Sequence, residues 1–326
     1  MKFASVLLSL SLIAVVAGAQ SPPRPRPAPA VAQQPVGQRG DHAMSESSKN
    51  VDIIMPHITD SHQIEYPFLC GHPICESELP RWKPVHIGGM TVDLSPTKHV
   101  VMMIIAALLC CVALLMGAHS QSRHQQQGRA PRGFSGMMEA MVLYIRNEVI
   151  VPGVGPHGEA YHPFLLSLFF FILFANLLGL LPFGSTATGN VAVTATLAVL
   201  SFIVIEAAGM RALGWGYVKT IVYWPDDMPI YGKIMMTTIM TPVEFIGKFT
   251  KPFALAIRLF ANMTAGHVMV LALISMVFAF GWLIGLAPVV MAVAISMLEL
   301  FVAFLQAYVF TLLSASFIGQ IRTAHH

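Results

Sequence analysis

Long apolar runs limit the folding of this chain more than any other feature of its sequence. Residues 100–118 and 163–181 carry no charged side chain, and residues 191–210 carry a single one. A helix of roughly 20 apolar residues is long enough to cross the hydrocarbon core of a bilayer. Over the whole chain 55% of the residues are hydrophobic and 11% are charged, which is more apolar surface than a soluble core can bury. The sequence therefore predicts an all-α polytopic membrane protein with the lipid bilayer as its first partner.

Composition and motifs also exclude several classes of function. The formal net charge of +3 over 326 residues is small, and no strongly basic face suggests a nucleic-acid partner. The sequence contains no recognisable phosphate-binding Gly-rich loop, metal-ligand cluster or hydrolytic constellation. We therefore expect no nucleic acid, no cofactor, no metal and no enzymatic activity of the chain itself.

The N-terminal residues have the pattern of a secretory signal peptide. Lys2 precedes a short apolar run, and Ala17-Gly18-Ala19 supplies the small residues of a cleavage site. A retained first helix is the alternative, although the run is shorter than the roughly 20 residues that a span needs. We expect residues 1–19 to be a cleaved signal peptide, which places the mature N-terminus in the periplasm.

The next segment, residues 20–98, is expected to be a periplasmic Pro-rich linker followed by a small irregular element. Cys70 and Cys75 are separated by four residues and could form a disulfide across a small loop in an oxidising compartment. A metal site that uses His72 is the less favoured alternative. The membrane domain is expected to occupy residues 99–326.

The loop after the first span carries only positive charge. Residues 119–133 contain three arginines and no acidic residue, so the positive-inside rule places this loop in the cytoplasm. That orientation agrees with an exported N-terminus followed by one crossing. The two signals together predict a multi-pass protein of a bacterial inner membrane.

A second pattern follows this loop. Apolar residues recur there at three- and four-residue spacing, at Phe134, Met137, Met138, Met141, Val142, Ile145 and Val149. This spacing predicts an amphipathic helix on the cytoplasmic surface of the membrane. An ordinary packing helix remains the alternative.

Arg258 needs an explanation of its own, because it lies within the apolar stretch 234–280. An arginine near the bilayer midplane costs roughly 2.5–3.5 kcal/mol, and its guanidinium cannot lose a proton to escape that cost. It persists only where it faces protein or water. As one helix, the stretch would be roughly 70 Å long against a hydrocarbon core of about 30 Å. Hydropathy alone divides it near Pro242 and Pro252, which would reverse the final topology.

Two motifs resolve this ambiguity by their resemblance to a known family. Residues 256–267 read AIRLFANMTAGH, and residues 304–310 read FLQAYVF. In this order and spacing they closely resemble subunit a of the F-type ATP synthase, over residues 137–319. The resemblance implies one long tilted helix over 234–280, which pairs with a helix over 288–318 as a hairpin against the c-ring. It thus implies about five membrane-crossing helices, a surface helix and a cytoplasmic C-terminus.

The same resemblance implies partners and a function. The partners are the c-subunit ring, the b subunits of the peripheral stalk and the rest of the ATP synthase. The chain would form two half-channels that load and unload the ring carboxylates. Arg258 would act on each ring carboxylate as it passes and prevent a proton short circuit between the half-channels.

Helical geometry adds candidate residues around this arginine. At 100° per residue, Lys251, Arg258 and Asn262 fall in one narrow stripe, with Glu244 near it and His267 on the opposite side. By resemblance, Glu244 matches an acid in the aqueous path of the family. Pairing of Glu244 with a lysine four residues later is the alternative.

The last helix supplies a second set of candidate residues. Glu299 and Gln306 are seven residues apart and share a face, and Glu299 has no charged residue close in sequence. By resemblance, His267 and Glu299 match positions where relatives carry an exchangeable His/Glu pair. A histidine titrates near neutrality and a buried carboxyl group can do so, so the pair can pass a proton. A bridge that only ties two helices is the alternative.

The second and third spans supply polar residues with two alternative roles. By resemblance, Asn176 and Asn190 fall where relatives line the outer half-channel, and a helix–helix hydrogen bond is the alternative. Gly179 and Gly184 stand where relatives often carry carboxylates, so any role of those acids in proton entry is absent or moved.

Two other classes of protein would also place Arg, His and Glu in a membrane. A secondary ion transporter with such a relay would show an internal repeat with discontinuous helices in both halves, and we find none. A structural membrane scaffold would use the same residues as a static network. Co-isolation with a Gly-rich two-helix proteolipid ring would distinguish the ATP synthase subunit from both.

Overall fold

The computed structural model describes most of the membrane domain and parts of the segment before it. The described residues are 63–67, 74–80, 85–87, 90–92, 95–126, 133–181, 186–217, 220, 222 and 229–323. The predicted signal peptide, the Pro-rich linker, Cys70, His72 and Gly184 lie outside them.

Two short β-hairpins occur before the membrane domain. Strands β1 (Gln63–Pro67) and β2 (Ile74–Glu78) pair antiparallel, as do β3 (Val85–Ile87) and β4 (Met90–Val92). Cys75 lies in β2 opposite Tyr66, whereas Cys70 belongs to the connection that is not described. The disulfide between Cys70 and Cys75 therefore stays a prediction.

The described residues contain five stretches that are long and apolar enough to cross a membrane. They correspond to α1 (Lys98–Gln126), to α4 (His162–Gly179) with the 3-10 turn before it, to α5 (Val191–Leu213) with the 3-10 turn after it, and to the two halves of α6 (Ile230–Thr323). Their bounds are Lys98–His119, Glu159–Gly179, Val191–Tyr217, Ile230–Val277 and Gly285–Arg322. The prediction of an all-α membrane protein with about five crossings is confirmed, with ends that differ by a few residues.

The last element, α6, is helical over 94 residues and folds back on itself. We call Ile230–Val277 its first arm and Gly285–Arg322 its second arm. The arms run antiparallel, because Asn262 contacts Gln306 and Lys251 lies over the ring of Phe317. Gly285 permits the close approach at the corner, since a Cβ there would lie 3.0 Å from Val277. The predicted hairpin is thus present.

The two prolines of the first arm do not end the helix. Pro242 and Pro252 lie inside the first arm, so the division that hydropathy alone suggests at these positions is wrong. A proline removes one backbone donor but does not prevent a helix from continuing where packing holds it.

The amphipathic pattern corresponds to α2 (Phe134–Tyr144), a π-helical turn (Ile145–Ile150) and α3 (Val151–Val154). Met138, Ile145 and Val149 are buried, and Met138 packs against Gly117 of α1. Phe134 and Met137 remain more than half exposed. The helix therefore packs on its own chain and still presents apolar residues outward.

Helix α4 forms the centre of the bundle. In an apolar stretch of 18 residues in this span, 78% is buried, against 6% in a stretch of the same length in each arm of α6. Its buried residues include Leu168, Phe170 and Phe171. Because the arms leave so much apolar surface uncovered, they need lipid or partner helices on their outer faces.

Contacts at the helix ends fix the relative topology. Arg322, at the end of the second arm, donates hydrogen bonds to the Val154 and Pro156 carbonyl oxygens, which precede α4. Lys248, in the half of the first arm that precedes Arg258, pairs with Glu206 in the second half of α5. The start of α4, the end of α5 and the outer ends of both arms therefore lie at one end of the bundle.

Candidate functional site

The first arm has two faces, and Arg258 lies on the outer one. Leu255 and Leu259 are buried against the bundle, whereas Ile257 is 47% exposed and Arg258 is exposed. Among the described residues, Arg258 makes no hydrogen bond and no ion pair. A permanent cation in an apolar arm is thus presented outward without a partner from the described part of its own chain.

One turn after Arg258, a polar contact joins the two arms. The Asn262 amide donates a hydrogen bond to Gln306 Oε1 at 3.2 Å. Gln306 is fully buried, and its Nε2 has no hydrogen-bond partner among the described residues. The sequence placed Asn262 and Gln306 on different helices, and the structure brings them together.

Further along the arms, Glu299 reaches the level of His267. The Glu299 carboxylate lies directly against Gly266, the residue before His267. Both Glu299 and His267 are partly buried. The two residues that the resemblance pairs therefore occupy the same level of the hairpin.

Asn176 is buried in the last turn of α4, and both the nitrogen and the oxygen of its amide have partners. Its Nδ2 donates to the Ala303 carbonyl oxygen at 3.3 Å, and its Oδ1 accepts from Thr188 Oγ1 at 2.9 Å. Asn176 therefore ties α4 to the second arm and to the turn before α5. This is the helix–helix hydrogen bond that the sequence left open.

Asn190 has a local structural contact. Its Oδ1 accepts a hydrogen bond from the Ala192 backbone at 2.9 Å and caps the N-terminus of α5. An asparagine at this position satisfies an amide that would otherwise lack an acceptor. A role of Asn176 or Asn190 in the proton path stays a prediction.

The space beside Gly179 is occupied by Thr186. A Cβ on Gly179 would lie 2.7 Å from two atoms of Thr186, whose hydroxyl donates to the Gly179 carbonyl oxygen. The turn before α5 therefore occupies the space in which a side chain at this position would lie. A carboxylate could not be accommodated here without moving that turn.

Sequence reasoning missed a cluster at the opposite end of the arms. Lys248 pairs with Glu206 at 3.5 Å and donates to the Tyr217 hydroxyl at 2.9 Å. The alternative pairing of Lys248 with Glu244 is not what the structure has. The available signal was that Glu206 is the single charged residue in the apolar run 191–210, since an intramembrane carboxylate is a functional candidate.

No group of three or more His, Cys, Asp or Glu side chains that could hold a metal ion occurs in the described part of the chain. The described site consists of one outward cation, an amide pair between the arms and titratable groups at two levels.

Comparison with known proteins agrees with this arrangement. A family model described as ATP synthase A chain matches residues 100–319. A relative from Anaeromyxobacter dehalogenans (strain 2CP-C), named ATP synthase subunit a, is 40% identical over 90% of this chain and 74% of its own length. A relative of the same name from Chloroherpeton thalassium is 44% identical over 81% of this chain and 74% of its own length. A relative from Chlorobaculum tepidum, named ATP synthase subunit a 2, is 40% identical over 89% and 79%.

Proposed function

Because the chain belongs to the ATP synthase subunit a family, we propose that it is the proton-translocating stator subunit of a rotary F-type ATP synthase. It forms two half-channels that load and unload the carboxylates of a c-subunit ring. The chain itself makes or breaks no covalent bond of a substrate. The chain conducts protons to and from the ring and places one fixed positive charge beside it.

The observation that carries this proposal is the outward position of Arg258. Its guanidinium is exposed on the arm and has no partner in the described part of its own chain. A desolvated cation with no counter-charge is costly in a membrane. A carboxylate on a neighbouring subunit would remove that cost, and a rotating ring would bring one such carboxylate after another.

The charge of Arg258 does two things in this mechanism. A fixed cation within about 4–6 Å favours the ionised form of a carboxylate, so the ring carboxylate gives up its proton as it approaches. The same positive charge repels a proton that would cross directly between the half-channels. Protons must therefore travel with the ring, which couples their passage to rotation.

The positions of the polar residues suggest which of them belong to each of the two half-channels. We assign His267 and Glu299, with Asn262, Gln306, Asn176 and Asn190, to the path on the periplasmic side of Arg258. We assign Glu244 to the path on the cytoplasmic side. The hairpin supports this division, because His267 and Glu244 lie on either side of Arg258 along the first arm.

We place the protein in a bacterial inner membrane with its N-terminus in the periplasm and its C-terminus in the cytoplasm. The arginines of residues 119–133 support this orientation by the positive-inside rule. The uncovered apolar face of the arms is proposed to contact the ring. The b subunits of the peripheral stalk and the rest of the ATP synthase are the further partners.

The test is to replace Arg258 in the complete ATP synthase and to measure proton-driven ATP synthesis in liposomes. Arg258→Ala should abolish coupled synthesis, because neither ring deprotonation nor the barrier to direct leak remains. Arg258→Lys should lose most of it, since an ammonium can deprotonate when desolvated. Arg211→Ala, which removes another exposed cation, is the matched control and should synthesise ATP as the parent does. Normal synthesis by the Arg258→Ala complex would contradict the proposal.

A further inference from the structure

We propose that Glu206 is a positioning residue that holds the Lys248 ammonium away from Glu244 and so keeps the Glu244 carboxylate free to exchange protons. This inference rests on the proposed function, because it concerns the half-channel to which Glu244 is assigned. It begins from the contacts of Lys248, which all lie on α5 and on the segment that follows it.

The Lys248 ammonium has three polar partners, of which two accept hydrogen bonds and one is a carboxylate in an ion pair. Glu206 Oε2 lies 3.5 Å from Nζ, the Tyr217 hydroxyl 2.9 Å and Thr220 Oγ1 3.4 Å. The ammonium also lies 4.4 Å from the centre of the Tyr217 ring. Two of the three ammonium donors are thus used toward Tyr217 and Thr220, and the carboxylate of Glu206 lies on the same side of the arm.

Glu244 is the partner that helical geometry favours for Lys248. It lies one turn earlier in the same arm, and glutamate four residues before lysine is the more favourable order on a helix. In the structure, however, Glu244 is exposed and makes no hydrogen bond or ion pair with any described residue. The acceptors on the α5 side have therefore displaced the partner on the same helix.

A cavity of about 140 Å³ with a mixed polar and apolar lining lies at this place, between α5 and the two arms. Its polar lining residues are Glu206, Thr220, Glu244, Lys248, Lys251 and Gln320. A cavity of this size and polarity can hold a few water molecules. Lys251 lies seven residues before Arg258, or about 10 Å along the arm. The cavity thus extends from the end of the bundle toward the face that carries Arg258.

The two partners of the ion pair are therefore expected to behave differently on mutation. Without the charge of Glu206, the Lys248 ammonium loses its carboxylate partner and becomes available to Glu244. Pairing would hold Glu244 ionised and slow proton transfer through it. Without Lys248, by contrast, no cation is released to Glu244. A purely structural tie between α5 and the arm would be damaged equally by either change.

The experiment uses the complete ATP synthase, reconstituted in liposomes, and measures the initial rate of ATP-driven proton uptake. Glu206→Gln should slow uptake about threefold or more, because an ion pair in a partly desolvated cavity is stronger than one in water. Glu206→Asp keeps the carboxylate and should keep most of the rate. Lys248→Met should keep more than half of it, and the double variant Glu206→Gln with Lys248→Met should recover the rate lost by Glu206→Gln alone.

Several results would overturn the inference. An assembled Glu206→Gln complex with the parent's rate would do so, as would equal losses in Glu206→Gln and Lys248→Met. If Glu206→Gln does not assemble, the double variant decides, because it removes both partners of the ion pair and leaves neither without the other. A rate below about one third of the parent's then excludes the inference. Arg258→Ala in the same assay separates the two proposals, because coupled pumping by that variant contradicts the proposed function whatever Glu206 does.

Discussion

Gly266 determines where the Glu299 carboxylate lies. A Cβ at position 266 would lie 2.9 Å from Glu299 Cδ and Cγ and closer still to Oε1. The carboxylate therefore occupies the space that only a glycine leaves open. If the pair His267 and Glu299 passes a proton, this contact sets the level at which it does so.

Gly266→Ala should displace the Glu299 carboxylate while the helix persists, because alanine favours a helix more than glycine does. Since proton transfer depends on close positioning, we expect ATP-driven proton uptake to fall by about tenfold. Gly247→Ala is the matched control, because a Cβ there meets no atom within 4 Å. Equal uptake rates in the two variants would show that the position of Glu299 does not matter.

At the scale of elements, Arg322 anchors the second arm. Its guanidinium donates to the Val154 carbonyl oxygen at 3.1 Å and to the Pro156 carbonyl oxygen at 2.9 Å, and it faces the Tyr161 ring. The last carbonyl groups of a helix have no donor within it, so a cationic donor is a favourable partner for their negative partial charge. Arg322 thereby joins the end of α6 to the end of α3.

Arg322→Gln should loosen this end of the bundle. Loss of hydrogen bonds to a charged group costs about 1.5–3 kcal/mol each, so the purified complex should release this subunit at a lower temperature. Proteolytic cleavage near residues 155–158 should also become faster. Arg211→Gln, at an exposed position, should change neither measurement. An unchanged melting temperature and cleavage rate for Arg322→Gln would show that the anchor is dispensable.

At the same scale, α4 and the arms of α6 have different roles. The centre of α4 is a run of buried residues, mostly Leu and Phe, whereas the arms carry large exposed residues such as Phe253, Met297 and Phe301. The bundle therefore has a packed core in α4 and an uncovered face on the hairpin. That face can be covered by lipid or by the ring that we propose as its partner.

At the scale of the whole molecule, the end contacts make a prediction about membrane sides. His157 lies in the connection before α4, and Tyr231 begins the first arm, so both belong to one end of the bundle. Leu181 follows α4 at the other end. In a cysteine-free background, single cysteines at positions 157 and 231 should react with an impermeant maleimide only from the cytoplasmic side, and one at position 181 only from the periplasmic side. Labelling of positions 157 and 231 from opposite sides would contradict the topology.

By itself the sequence determined the class of the protein and the first three of its crossings. Length and apolarity are local properties of a run of residues, so those spans could be predicted with ends that differ by up to seven residues. The count of five crossings came from the resemblance. Helical spacing was equally sufficient to place Arg258 and Asn262 on one stripe of the first arm. The continuity of that arm through Pro242 and Pro252 followed from the resemblance and not from hydropathy.

Only the tertiary structure decided which polar groups meet. It paired Lys248 with Glu206 instead of Glu244, joined Asn262 to Gln306, made Asn190 a helix cap and set Glu299 against Gly266. The physical reason is that periodicity fixes which residues share the face of one helix but carries no information about which faces of two helices come together. That choice depends on the packing of the whole bundle.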